Sequence, residues 1–324
     1  MNPNRLKSFN LFFFVLFFEF IGYKFMIMPY LYDNYGINGV LFFIIAIILT
    51  ISLLLVPDKY FKSILNDKVL KRVLGVASLF NIISGLAIGA NVVYKLFYED
   101  ASYLIFIIIF ALGIMVISNL STSQIINLST CFYIFIPMMW IIAYFFSPRI
   151  NILTWFNLSG IGFNFFFYSN YVCSLIFLLA NLEANKKIVI LGSITGSIVY
   201  MVEYLMLIGV AGDAFFKNYE YVGFITYQIQ IPNKYIGNFD FITIISLCLC
   251  LIFNTSYFLS LSGFCFNLKR KHKNILLIAL ALLSYALAFF VTKIKVTYLV
   301  IEGGLLLFIL LYLVIRNGRY NFKL

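Results

Sequence analysis

The chain has 324 residues, of which 63% are hydrophobic and only 11% charged, and its formal net charge is +11. A mean hydropathy of +1.02 excludes an ordinary soluble domain, which cannot bury so much apolar surface. Because the basic residues are spread over many short loops, the charge does not require a nucleic-acid partner.

Ten apolar stretches follow one another along the chain, and each is predicted to cross a membrane as an α-helix. Most approach or exceed the roughly 20 residues that a helix needs to span the hydrocarbon core, although the fourth and ninth are short. Strand-like alternation is absent, so helices are expected rather than a barrel. The predicted spans are residues 11–32, 37–56, 73–97, 101–117, 125–146, 152–182, 188–211, 241–266, 275–291 and 296–315.

Lysine and arginine are distributed unevenly between the two sets of loops. Sixteen of the 23 fall on the side that holds both termini, six fall on the other side, and Lys24 lies within a span. The positive-inside rule therefore predicts cytoplasmic termini, and the basic loops are placed to touch anionic lipid headgroups. No small-residue cleavage site follows the first apolar run, so the first span is expected to be retained.

The ten spans divide into five and five at about Pro148. Residues 1–148 and 149–324 are thus predicted to be two repeats within a single membrane domain. An odd number of spans per half makes the second half enter the membrane from the opposite side, as in an inverted repeat. The longest loop of each half follows its second span, at residues 57–72 and 212–240.

The first span of each half is interrupted by residues that weaken a helix. Gly22 and Pro29 interrupt span one, and Ser159, Gly160 and Gly162 interrupt span six. Paired breaks indicate a binding site at the membrane midplane, where unwound helix ends offer N–H groups to a carboxylate and C=O groups to a cation. This pattern predicts a LeuT-like fold with broken helices 1 and 6. Close helix packing at glycine is the alternative explanation.

Charged side chains inside spans are costly, by ~3 kcal/mol on insertion scales, and they tend to mark function. Glu19 and Lys24 lie on either side of Gly22, and two interpretations stay open. Either they bracket the binding site, with Lys24 replacing a coupling cation or meeting a substrate carboxylate, or they form a structural pair. Glu203 in span seven is predicted, with Glu19, to couple ions or protons. A hydrogen-bonded helix contact is the alternative for Glu203.

Other polar residues inside spans carry weaker predictions. Glu302, near the outer end of span ten, is expected to be partly solvated. Five residues of spans three and eight are expected mainly to join helices through hydrogen bonds: Asn81, Asn91, Asn254, Thr255 and Ser256. The cysteines all fall in or at the ends of spans and are expected to be buried: Cys131, Cys173, Cys248, Cys250 and Cys265.

The chain carries no nucleophile elbow, phosphate-binding loop or zinc signature. We therefore expect no catalytic residues, no metal and no cofactor, and a protein that is not an enzyme. The residues around the two breaks are instead predicted to bind substrate: Gly22, Tyr23, Lys24, Gly160, Gly162 and Asn164.

Several segments resemble a known family over nearly the whole chain. They are IGYKFMIMP at residues 21–29, the run 119–137, GFNFFFYSNY at 162–171, and IGVAGDAFFKNYEYVGFITYQIQIP at 208–232. These segments are similar to the B subunits of spore germinant receptors, in the amino acid–polyamine–organocation superfamily. Asn164 stands where that family often has an acid, and Lys24 stands where a small residue is usual.

The resemblance implies a ten-helix protein of the cytoplasmic or spore inner membrane. It implies that the protein binds a small nutrient, an amino acid first of all, and works with an A subunit and a lipoprotein C subunit. Two other functions stay open: an amino-acid permease coupled to protons or sodium, and a membrane scaffold without a ligand.

Overall fold

A computed structural model defines residues 8–18, 28–97, 102–134, 136, 174–180, 184–218, 239–288 and 291–321. Within these residues the chain is helical apart from short connections and contains no β-strand. Helices satisfy their backbone groups internally, as a hydrocarbon environment requires. The prediction of an all-helical chain is therefore confirmed for this part of the sequence.

We number the helices α1–α11 and leave the short helical segment 174–179 unnumbered. The helices are α1 Ser8–Phe18, α2 Met28–Tyr35, α3 Val40–Ser52, α4 Asp58–Ile64, α5 Lys68–Phe97, α6 Tyr103–Ile117, α7 Thr122–Tyr133, α8 Lys186–Asn218, α9 Phe239–Cys265, α10 Arg270–Ala288 and α11 Val291–Asn321. Two 3₁₀ turns, Gly36–Gly39 and Leu53–Leu55, extend α3 at both ends.

Among the described residues, four helices are long and apolar enough to cross a membrane: Gly36–Leu55, Lys68–Asn91, Lys186–Met206 and Cys248–Cys265. The shorter helix α6 points a continuous apolar stripe outward, where the exposed fraction rises from 50% at Ile105 to 72% at Val116. Such a stripe is stable against lipid and not against water. The chain is a membrane protein built of α-helices.

Helices α5 and α9 form the antiparallel pair around which the others assemble. Two glycines, four residues apart, let the pair approach closely. A Cβ added at Gly85 would lie 2.5 Å from the Thr255 hydroxyl, and one at Gly89 would lie 3.0 Å from Leu251. Small residues at this spacing are typical of tightly packed membrane helices.

The remaining helices gather on two flanks of this pair. On one flank, α1 packs on α7, α8 and α9, and α8 packs on α3. On the other flank, α6, α10 and α11 pack on α5. The largest fully buried side chains lie mainly on the first flank and include four tyrosines. Each tyrosine carries a hydroxyl that must be satisfied there.

Contacts between loops bring most of the basic segments to one end of the bundle. Arg316 pairs with Asp67, and the Lys71 ammonium lies 3.1 Å from the Asn267 side-chain oxygen. Lys186 donates to the carbonyl of Val56. Segments 56–72, 186–187, 267–273 and 316 therefore share one end, as the charge distribution predicts.

The segment 57–72, expected to be a loop, is partly helical. It contains α4, which begins after Pro57 and buries Phe61 and Ile64 at 1% and 0% exposure. The apolar residues of this helix are three apart and therefore share one face. Burial of that face explains why a charged segment is ordered.

Two expectations about burial are wrong. Cys131 is exposed, because it lies on the outer face of α7, whereas Thr130 and Tyr133 face inward. Glu302, expected to be partly solvated, is only 4% exposed. The reason is that α11 packs directly on α5, where Asn81 donates a hydrogen bond to the Glu302 carboxyl.

Candidate functional site

Side-chain donors from two other helices converge on the last described turn of α1. The Tyr200 hydroxyl of α8 donates to the carbonyl of Leu16. The Asn254 amide of α9 donates to the carbonyls of Phe17 at 3.3 Å and Phe18 at 3.0 Å. Three successive backbone carbonyls of α1 thus accept hydrogen bonds from side chains, and these bonds tie α1 to α8 and α9.

A third helix completes this network. The Tyr133 hydroxyl of α7 donates to the Asn254 side-chain oxygen at 2.7 Å. That bond fixes the orientation of the amide, so that its NH₂ group faces α1. Tyr133 and Tyr200 are 0% and 1% exposed, and hydrogen bonds between such buried groups are the arrangement that a low-dielectric interior favours. We call Tyr133, Tyr200, Asn254 and the three carbonyls the α1 network.

Two glycines of α8 explain why Tyr200 reaches the backbone of α1. A Cβ at Gly192 would lie 3.0 Å from the Phe12 carbonyl oxygen, and one at Gly196 would lie 3.1 Å from that of Leu16. Gly192, Gly196 and Tyr200 follow at intervals of four residues and therefore share one face of α8. The close approach of the two backbones puts the hydroxyl within reach of Leu16.

An aromatic layer surrounds the α1 network. Phe14 stacks on Tyr133 with ring centroids 6.0 Å apart, and it contacts Tyr257 at 5.4 Å. The Tyr257 hydroxyl donates to the carbonyl of Phe177 at 2.9 Å. Phe177 belongs to the end of predicted span six, so this bond connects that span to α9. The polar groups thus lie inside an apolar shell, where hydrogen bonds are strong and unmatched polar groups are costly.

Most residues predicted to form the binding site lie outside the described residues. These are Glu19, Gly22, Tyr23, Lys24, Gly160, Gly162 and Asn164. Their roles stay predictions. Glu19 directly follows Phe18, so the α1 network stands at the entrance to the first predicted break.

Glu203 is the one predicted coupling residue that the structure describes. It lies in α8 at 9% exposure, between two tyrosines that bind backbone carbonyls of other segments. Tyr200 reaches Leu16, and Tyr204 donates to the carbonyl of Gly36. Through these two bonds α8 is tied to α1, in predicted span one, and to Gly36, between predicted spans one and two. The buried carboxyl of Glu203 lies between the two tyrosines along α8.

The prediction that polar residues of spans three and eight join helices is confirmed at three positions. Asn81 bonds to Glu302 of α11, and Asn254 bonds to α1 and α7. The Ser256 hydroxyl of α9 donates to the Ile114 carbonyl of α6 at 3.4 Å. The roles of Tyr133 and Tyr200 were not predicted, because a tyrosine in an aromatic-rich membrane helix carries no distinguishing pattern. The spacing of Gly192 and Gly196 was the available signal for the contact between α8 and α1.

No protein-family model and no curated protein matches this chain.

Proposed function

We propose that this chain is a permease-like membrane subunit that binds a small nutrient, an amino acid first of all, near the middle of the bilayer. The resemblance to the B subunits of spore germinant receptors supplies the proposed role, which is a receptor subunit acting with an A subunit and a lipoprotein C subunit. The ligand would favour one of two conformations by binding it more tightly, since only a difference in affinity shifts such an equilibrium.

The observation that carries the proposal is the α1 network. Tyr200 and Asn254 donate to three carbonyls of α1, and Tyr133 orients the Asn254 amide. These carbonyls precede Glu19, Gly22 and Lys24, where the sequence predicts a break in the helix. Donors of this kind would support a helix that is interrupted inside a membrane, because freed backbone groups must find other partners. Interrupted helices form substrate sites at the midplane of transporters.

The pattern of helix contacts supports the proposed ten-helix, 5+5 inverted repeat. Helices that would correspond in the two halves pack on each other in antiparallel pairs: α3 with α8, α5 with α9, and α6 with α10. Other contacts occur in matched sets. The contact of α5 with α11 has its counterpart in α9 with α7, and that of α5 with α10 has its counterpart in α9 with α6. An inverted repeat relates these pairs by a pseudo-two-fold axis in the membrane plane.

The proposed orientation places the basic end of the bundle in the cytoplasm. Twelve described basic residues belong to the segments at that end: Lys59, Lys62, Lys68, Lys71, Arg72, Lys186, Lys187, Lys269, Arg270, Lys271, Lys273 and Arg316. The positive-inside rule then gives cytoplasmic termini.

A second candidate is an amino-acid permease that moves its ligand. The buried carboxyls of Glu203 and Glu302 favour it, because ionisable residues inside membrane helices commonly serve proton or ion coupling. The chain alone, reconstituted in liposomes, separates the two functions. Uptake of labelled amino acid supports the permease, whereas co-purification with the A and C subunits without uptake supports the receptor.

The primary test is the thermal stability of the purified protein against a panel of amino acids and other nutrients. A ligand at 100 times its Kd stabilises the folded state by ~2.7 kcal/mol. We expect a stabilising compound whose effect is lost in Gly160→Trp, at the second predicted break. Gly304→Trp is the matched control, since a Cβ at Gly304 meets no atom within 4 Å. If no compound stabilises the chain alone or assembled with its partners, the binding function is wrong and the scaffold is favoured.

A further inference from the structure

A cluster of cations lies where α5 begins and where the turn between α9 and α10 ends. Lys71 and Arg72 belong to the first two turns of α5, and Lys269, Arg270 and Lys271 lie at the start of α10. Lys71 is partly buried, and the other four residues are exposed. We call these five residues the cation patch.

Contacts of the turn between α9 and α10 bring the two groups of cations together. The Lys71 ammonium lies 3.1 Å from the Asn267 side-chain oxygen and 4.4 Å from the centroid of the Phe264 ring. One turn further along α5, a Cβ added at Gly75 would lie 2.8 Å from the Phe266 ring. Asn267 has a φ of 54°, in the left-handed region that asparagine tolerates at helix ends. The chain therefore turns tightly against α5, and α10, which packs on α5, starts beside it.

The charge of the cation patch is not neutralised by any residue that the structure describes. At this end of the bundle the described acidic side chains are Asp58 and Asp67, and they pair with Lys186 and Arg316. No residue of the patch forms an ion pair within the described ranges. Five cations on neighbouring segments repel one another and attract anions from outside the chain.

Exposed apolar side chains adjoin the patch on the side toward the middle of the membrane. Val76 follows Arg72 by four residues, and Ile275 follows Lys271 by four, so each pair shares one face of its helix. Val76 is 38% exposed, Ile275 is 54% exposed, and the Phe264 ring under the Lys71 ammonium is 51% exposed. At 1.5 Å per residue, each aliphatic side chain lies about 6 Å deeper along its helix than its cation. The same order, charge outside and hydrocarbon inside, is found in a phospholipid.

We propose that the cation patch binds the headgroup of an anionic phospholipid, whose acyl chains lie against Val76, Phe264 and Ile275. The negatively charged phosphate meets several cations, and the planar Arg72 guanidinium can donate two parallel hydrogen bonds to it. A zwitterionic lipid has no net negative charge and gains less from the same cations. A free phosphate would leave the exposed apolar side chains unused.

The bound lipid would join α5 of the first predicted half to α10 of the second. Basic sites between membrane helices at the cytoplasmic side are known to bind anionic headgroups. The site lies at the basic end of the bundle, so it does not rest on the proposed nutrient site near α1.

Native mass spectrometry of the full chain in detergent, titrated with dioleoylphosphatidylglycerol or dioleoylphosphatidylcholine, tests the site. We expect phosphatidylglycerol to bind more tightly than phosphatidylcholine. Lys271→Gln is expected to weaken the binding of phosphatidylglycerol about fivefold, and the double variant with Arg72→Gln about twentyfold.

A second double variant provides the matched control. Lys59→Gln with Lys62→Gln removes the same charge from exposed residues of α4 at the same end of the bundle. It is expected to weaken lipid binding less than about threefold, because screening reduces the effect of distant charges. Both double variants are expected to unfold at the wild-type temperature, since none of the four side chains forms an ion pair within the described ranges.

Three outcomes overturn the proposal. Equal losses in the two double variants would show that the lipid responds to the total charge of this end and not to the cation patch. Equal binding of the two lipids would show that the headgroup charge is not recognised. Displacement of phosphatidylglycerol by inorganic phosphate at constant ionic strength would identify a site for a free anion, whereas we expect the lipid to stay bound.

Discussion

Replacing Asn254 with alanine tests whether the α1 network holds the protein together. The change removes the acceptor for the Tyr133 hydroxyl and the donor to the carbonyls of Phe17 and Phe18. Leaving one buried polar group unmatched costs ~1–3 kcal/mol, but interhelical hydrogen bonds in membranes average nearer ~0.6 kcal/mol. With two strong bonds lost, we expect a destabilisation of ~2 kcal/mol.

Three variants separate this effect from simple loss of volume. Asn254→Leu keeps the volume without the polar groups, and it is expected to destabilise nearly as much as alanine. Tyr133→Phe removes one hydroxyl and is expected to cost ~1 kcal/mol. The double variant is expected to be less destabilised than the sum of the two single changes, by ~1 kcal/mol, because the side chains share a bond.

Reversible unfolding in mixed micelles, followed by circular dichroism, gives these free energies. Ser52→Ala is the control, since the Ser52 hydroxyl is exposed and donates to the Leu49 carbonyl of its own helix. The reasoning is refuted if Asn254→Ala stays within ~0.5 kcal/mol of wild type and is additive with Tyr133→Phe.

Three further predictions concern other contacts. Gly196→Leu is expected to destabilise by ~3 kcal/mol or to prevent folding, because its Cβ already lies 3.1 Å from a backbone oxygen of α1; stability equal to Gly304→Leu would contradict the close packing. Arg316→Gln and Asp67→Asn are each expected to cost under ~1 kcal/mol in micelle unfolding, an effect that salt diminishes; equal losses at low and high salt would exclude an electrostatic cause. Burial, with Arg270 nearby, lowers the pKa of Lys273 below 10.5, so the folded state binds fewer protons than the unfolded state. Stability is therefore expected to rise with pH between the lowered pKa and 10.5, and a rise of the same size in Lys273→Met would refute that assignment.

The class of this protein follows from its sequence because membrane insertion depends on local composition. A helix of about 20 apolar residues spans the hydrocarbon core and forms its backbone hydrogen bonds internally, so it needs no contribution from distant residues. For that reason the predicted spans at 37–56, 73–97, 188–211 and 241–266 match helices that are long and apolar enough to cross a membrane. The number of lysines and arginines is likewise a property of each loop by itself. It predicts that the basic segments lie together, and their contacts bring them to one end of the bundle.

Tertiary structure alone decided which polar side chains meet. Tyr133 and Asn254 are 121 residues apart and share a hydrogen bond, and Tyr200 reaches a carbonyl 184 residues earlier in the chain. Hydropathy does not distinguish these tyrosines from others in an aromatic-rich chain, since the distinction depends on which helix faces which. Gly192 and Gly196 allow α8 to approach α1 closely, and this approach places the Tyr200 hydroxyl at the Leu16 carbonyl.

The burial of Glu302 shows the same limit. Near the end of an apolar run, a carboxyl is expected to reach water, and only the packing of α11 on α5 places it against Asn81. The sequence therefore determined which segments enter the membrane, because the free energy of insertion depends on the composition of each helix separately. Which polar groups pair inside the bundle depends on which helix faces pack together, and the tertiary structure decided that.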